Sequence, residues 1–168
     1  MKPHAAAMRR AGQDTVLELL LRQGIDIYRD RNQGPILKRA KTIFRELTDG
    51  EYSGLRADVD DKGVPVIIAE HQTRGSLDVP ALSDGTVDPL YLALRLGVIQ
   101  EHNATREPLP FIADDLLLSL GNRRARATLK TLGTMANEGQ ILFFTHHEHM
   151  IDLAREVLDA EVLREHRL

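Results

Sequence analysis

Three short polar stretches hold the residues that can do chemistry. Leu82-Ser83-Asp84-Gly85-Thr86 is a glycine-bearing turn that runs into an apolar helical segment opening on Asp88-Pro89. Ser83 offers a hydroxyl, Gly85 lets the backbone approach a ligand closely, and a helix start presents free N–H groups and a positive dipole end. Such a mouth suits an anion, most naturally a phosphate; an ordinary helix cap is the plain alternative. Asp114 and Asp115 end the apolar run Phe111-Ile112-Ala113. Adjacent carboxylates repel unless a cation or a shared proton offsets the charge. Mg²⁺, bound through one carboxylate and its own waters, would suit them and leave the partner acid to orient or deprotonate a water. The alternative is one aspartate capping a turn and the other solvated. Thr145-His146-His147 end a second apolar run, with His149 two residues on. Grouped imidazoles can ligate a transition metal. Equally, a single histidine at a strand tip can sense a phosphate or hold a water, or the loop is merely histidine-rich.

These residues need elements to place them. The stretches 109–120 and 140–147 carry continuous apolar runs without alternation, and helical segments over 122–139 and 148–158 follow them. That pattern predicts buried parallel strands in an α/β layer, where active groups collect beyond the carboxyl ends of the strands. Upstream, 54–60 (with Leu55, Ala57 and Val59 alternating) and 64–71 read as strands joined by Asp61-Lys62-Gly63, an antiparallel hairpin. Residues 73–80 read as a polar loop and 88–103 as an amphipathic helix. A helix over 35–47 presents Ile36, Ala40, Ile43, Phe44 and Leu47 on one face, with Pro35 at its first position. Residues 13–31 also have helical periodicity, suited to a core helix or to the end of a coiled-coil arm. The last nine residues read as a short terminal strand.

Bulk composition narrows the classes. A length of 168 residues fits one domain or one large piece of a bigger one. With aromatics at 4% and no Trp, the core must be built from Leu, Ile, Val and Ala. A net charge of −3 exerts no global pull toward nucleic acid or anionic lipid. The absence of Cys excludes disulfides and thiolate metal sites and fits a reducing cytoplasm, the expected compartment. No run is long enough to span a membrane. Arg123, Arg124, Arg126 and Lys130 form a local positive patch on one helix, a solvated face or a DNA contact.

Order and spacing together are more specific than any one stretch. "LSDG" plus helix, then hydrophobic-Asp-Asp, then hydrophobic-Thr-His resembles the head of an ABC-type ATPase after its coiled-coil insertion. The resemblance is to the SMC and RecN-like chromosome and repair ATPases, and most to the bacterial YhaN-like AAA proteins. "LSDGTVDPLYLALRLG" looks like that group's signature motif, "LPFIADDLL" like its Walker B strand and "ILFFTHHEHMIDLA" like its His-switch segment. "FRELTDGEYSGL" is similar to the stretch where those proteins leave the coiled coil.

The resemblance implies a P-loop NTPase fold of the ABC type, with residues 1–34 as the end of a coiled-coil arm and 35–168 as the C-terminal lobe of the head. It implies that Asp114 holds Mg²⁺ through water, that Asp115 is the general base, and that His146, rather than His147, contacts the γ-phosphate. Ser83, Asp84 and Gly85 would close on the γ-phosphate of ATP bound to a second head. The 168 residues contain no G-x-x-x-x-G-K-[ST]. The implied partners are therefore a Walker A-bearing N-terminal lobe and a second head, and without that lobe neither tight ATP binding nor hydrolysis is expected. Gly121-Asn122 stand where the family carries acids after Walker B, and Val87 and Pro89 stand where its signature has a basic residue and a glutamine. Pro89 reads as a first-turn residue that needs no N–H. The departures leave open a non-catalytic head that serves as an interaction module; separately, Asp114, Asp115 and the His146–His149 cluster leave open a metal-dependent hydrolase.

Overall fold

The computed structural model describes residues 34–117 and 120–167. The helix expected over 13–31, and with it the coiled-coil reading of the N-terminus, lies outside the described residues. The chain divides into two compact units, Met1–Pro35 and Ile36–Leu168, and the elements described lie in the second apart from the first two residues of α1.

Helix α1 spans 34–47. Ala40, Ile43, Phe44 and Leu47 recur at helical spacing, and all four are buried. Its end is tied off locally: the Thr48 hydroxyl donates to the Phe44 carbonyl at 2.7 Å, and the Gly50 N–H donates to the Arg45 carbonyl at 2.8 Å. Gly50 sits at φ +76°, the left-handed conformation that ends helices at little cost to glycine.

Strands β1 (Tyr52–Val59) and β2 (Pro65–His71) pair antiparallel, as the sequence predicts. Asp60 makes their turn: one carboxylate oxygen accepts the N–H groups of Lys62 and Val64 at 2.9 and 2.8 Å. The expected alternation holds at Leu55, which is buried, and fails at Ala57 and Val59, which are exposed. A third strand, β3 (Gly75–Asp78), pairs antiparallel with β2 where the sequence reads as a polar loop. It is an edge strand of four residues in which only Leu77 is partly buried, so it carries almost no apolar signal.

Helix α2 runs from Asp84 to Asn103, four residues earlier than expected. It crosses α1 at Gly97, where an added Cβ would meet the Ala40 N and the Ile36 carbonyl oxygen at 3.0 Å each, so a larger residue would push the two helix backbones apart by a few tenths of an ångström. Strands β4 (Phe111–Asp114) and β5 (Ile141–Phe144) form a separate parallel pair, with α3 (Asn122–Met135) between them in sequence and α4 (Glu148–Val157) after. Helix α3 stops at Met135 rather than reaching 139. The expected terminal strand is not formed: 160–167 are turn and irregular backbone.

One apolar cluster joins α1, the three-stranded sheet, α2 and the end of α3; a second joins Leu117 and Leu120 to α3 and α4, and Leu116 and Phe143 pack against both. Among the described residues the buried core is mainly Leu, Ile and Ala, joined by Met135, Met150, Phe44 and Tyr52. Among the described residues no helix is long and apolar enough to cross a membrane.

Candidate functional site

The parallel pair decides where the two acids go. Register matches Ile112 with Leu142, Ala113 with Phe143 and Asp114 with Phe144. Alternation therefore sets Ile112, Asp114, Leu142 and Phe144 on one face of the ribbon, and Phe111, Ala113, Ile141 and Phe143 on the face that packs into the core. The first face is open: Ile112 is 62% and Phe144 42% exposed, and Asp114 is exposed beside them. The strands are thus parallel as expected but buried on one side only.

Asp115 leaves the strand. Its φ of +46° is left-handed, a conformation aspartate tolerates better than most residues. Its N–H donates to the Phe144 carbonyl at 2.9 Å, which pins it across the tip of β5. There His146 Nδ1 lies 2.7 Å from Asp115 Oδ2, and the Thr145 hydroxyl donates to the same carboxylate. Partial desolvation pushes the Asp115 carboxyl upward, but the Thr145 hydrogen bond and the charge and hydrogen bonds of His146 outweigh it and hold the pKa below its ordinary 3.8. Asp115 is therefore a carboxylate at neutral pH. His147 completes the cluster: its ring centroid is 3.9 Å from that of His146, and its backbone N–H donates to the Thr145 hydroxyl at 3.2 Å. Two atoms here, Asp115 Oδ1 and His147 Nε2, are buried with no hydrogen-bond partner.

The helix mouth is built differently. Ser83 occupies the N-cap of α2, yet its hydroxyl makes no capping bond; it lies 3.1 Å from the Thr86 hydroxyl. Asp84 and Gly85 form the first turn, with the Asp84 charge at the favourable end of the helix dipole. Pro89 is consequently inside the helix, not in its first turn. A proline there has no N–H to give the carbonyl four residues back, which is that of Gly85. Arg124 supplies the missing donor: one guanidinium nitrogen donates to the Gly85 carbonyl oxygen and approaches the Thr86 hydroxyl at 3.3 Å. Its other terminal nitrogen donates to Glu51 at 2.7 Å, and the side chain is only 16% exposed. The hydrogen bond from Arg124 is the main cause that holds the Glu51 carboxyl below its ordinary 4.5. Burial opposes it, and the charges of Arg124, His71 and Arg123 assist.

The structure thus brings Asp115 and His146 together and adds His147. It sets Asp114 on the open face, and it gathers Ser83, Asp84 and Gly85 at the mouth of α2. The first turn of α3 reaches the helix mouth through Arg124, which holds Gly85, and reaches the start of α4 through Asn122 Oδ1, 2.9 Å from His149 Nε2. Asp115 also borders a cleft of about 410 Å³ with Asp88, Tyr91 and Arg95 of α2. Sequence reasoning missed Arg124 and Glu51 as a pair. Both are visible types, but 73 residues separate them and no local signal links them. The basic patch on α3 is largely spent on carboxylates: Arg123 meets Asp49 at 3.0 Å, and Arg126 meets Glu156 at 2.9 Å.

This architecture is the fold of the SMC-type ATPase heads. An SMC ATPase described for ATP-driven dimerization and DNA-stimulated activation superposes with a TM-score of 0.63 at 17% identity, over 77% of each chain. The Smc head of Pyrococcus furiosus, solved with an extended coiled coil and bound to the C-terminal domain of ScpA, gives 0.60 at 17% identity over 86% of this chain and 37% of that one. The SMC head domain from Thermotoga maritima gives 0.54 at 16% identity over 80% and 44%. Within this fold the chain is a sequence relative of the uncharacterized protein YhaN of Bacillus subtilis (strain 168), 32% identical over 118 residues. That match covers 70% of this chain and 12% of YhaN, so the chain spans a small part of its relative's length. No family model matches the sequence.

Proposed function

We propose that the chain supplies the signature turn, the acid pair and the switch histidine of an ATP-hydrolysing head of the SMC type. One observation carries the reading: an ionised Asp115 held 2.7 Å from His146 at the tips of two parallel strands, in a fold whose relatives are ATPases. Asp115 is the general base, an ionised carboxylate set at the strand tips. His146 holds that carboxylate in place and reaches the γ-phosphate from its exposed position. Asp114, a hard oxygen donor on the open face, fits an ion such as Mg²⁺ held through water, which when bound would offset phosphate charge. Ser83, Asp84 and Gly85 present a helix start to a phosphate carried by a second head.

The open face of the β4–β5 ribbon, with Ile112 and Phe144 bare around Asp114, is where a Walker A-bearing lobe would pack. ATP would join two such heads and hydrolysis release them. DNA enters the reading through the SMC relative with DNA-stimulated activation.

The test supplies a Walker A-bearing N-terminal lobe, in trans or encoded in one chain, and measures ATP turnover and head dimerisation. Asp115→Asn is expected to cut turnover by roughly 10²–10⁴-fold while ATP still drives dimerisation. A complete head that neither binds nucleotide nor dimerises with ATP would sink the proposal.

A further inference from the structure

We propose that Asp115, His146 and His147 form a binding site for a transition-metal dication of the Zn²⁺ type. The assignment rests on side-chain geometry and donor chemistry, not on the nucleotide reading. Each of the three residues offers one ligand atom, and these atoms all lie within 4.8 Å of one another. Zn²⁺ bonds to nitrogen and carboxylate oxygen at about 2.0–2.2 Å, which places tetrahedral ligands roughly 3.3–3.6 Å apart. The observed spread exceeds that spacing, so binding draws the three side chains together by rotation.

The donor set is two imidazoles and one carboxylate, the mixture that favours Zn²⁺, Co²⁺ or Ni²⁺ over Mg²⁺. It is also three protein ligands with a fourth position open to water. Asp115 Oδ1 and His147 Nε2 are buried and unpartnered, which costs free energy. A cation between them satisfies both atoms with one ion. His146 is mostly exposed at the mouth of the cluster, so an ion can reach it from solvent.

The frame behind the ligands is already in place. Thr145 donates its hydroxyl to the Asp115 carboxylate and accepts the backbone N–H of His147, and the backbone N–H of Asp115 is fixed on the Phe144 carbonyl. Such outer partners orient ligands and raise affinity. The other candidates are occupied or displaced: His149 Nε2 is engaged with Asn122, and Asp114 lies on the open face of the ribbon. This removes His149 and Asp114 from the wider set of acids and histidines that the sequence suggests and leaves a defined set of three.

The experiment uses the tag-free chain alone, without nucleotide or any second lobe. Zn²⁺ binding is followed by calorimetry, and Co²⁺ by its visible absorption, where intense bands report low coordination number. One ion per chain is expected. His147→Ala and Asp115→Asn should each weaken binding at least tenfold, with circular dichroism unchanged. His149→Ala should bind as the parent does, and a thousandfold excess of Mg²⁺ should not displace Co²⁺. Absence of stoichiometric binding to the parent chain, unaltered binding in His147→Ala, or displacement by Mg²⁺ would each overturn the assignment. Because no ATP is present, failure of the head reading leaves this result standing, and the reverse holds.

Discussion

The mouth of α2 and the tips of β4 and β5 are both chemically dressed, yet they are finished to different degrees. At the mouth the side chains of Arg124 and Ser83 are spent inside the chain: Arg124 divides itself among Gly85, Thr86 and Glu51, and Ser83 turns to Thr86. At the tips the carboxylate of Asp115 and the ring of His147 each keep a buried atom in reserve. The contrast separates a surface whose shape is fixed in advance from a cluster that retains bonding capacity for something outside the chain. Preorganised backbone is how a phosphate is presented with N–H groups; unspent ligands are how protons and ions are handled.

The sharpest way to break this comparison is to remove chemistry from one region and architecture from the other. Asp115→Asn keeps a residue that tolerates the left-handed backbone at this position. It should abolish most turnover of a reconstituted head, yet shift the urea midpoint of the isolated chain little. Arg124→Ala should do the opposite, costing about 2–4 kcal/mol by breaking a largely buried, charge-assisted network. If the two variants behave alike, the division between the regions is wrong.

A double-mutant cycle sharpens it further. Pro89→Ala restores an amide that can serve the Gly85 carbonyl, so the loss on Arg124→Ala should shrink by about 1 kcal/mol in that background, read by chemical denaturation. The acid limb of stability tests Glu51. Its folded pKa lies below its ordinary 4.5, so the stability it contributes is complete above that value and is lost as pH falls through the folded pKa. Glu51→Gln should flatten that limb, read as a smaller loss of stability on acidification. The smallest effect is expected from Ser83→Ala. A true N-cap would cost about 1 kcal/mol, whereas a serine with no capping bond should cost under about 0.5 kcal/mol in a thermal melt.

The parallel strands, the hairpin and the helices were legible because apolar runs and helical spacing are dictated by burial, and burial is written residue by residue. Ala40, Ile43, Phe44 and Leu47 needed no partner to be recognised as a core stripe. β3 escaped because an edge strand with one half-buried side chain is specified by its hydrogen bonds to β2, not by its own pattern. The start of α2 escaped because Asp84-Gly85-Thr86 has turn chemistry, and Pro89 pointed to a later first turn. The resemblance placed Asp115 and His146 in the same working site. Their contact, the recruitment of His147, and the separation of Asp114 from its neighbour come from the twist of the backbone at Asp115, which no residue type announces.

Pro89 and Arg124 have one further consequence, in how sequences of this kind can drift. A lineage that acquires an imino acid at position 89 strands an acceptor at position 85, and a long cationic side chain from another helix repairs the gap. The two sites are thereby bound as an inherited couple. Where 89 reverts to a residue bearing an amide hydrogen, 124 is released to vary; where proline persists, arginine at 124 should persist with it.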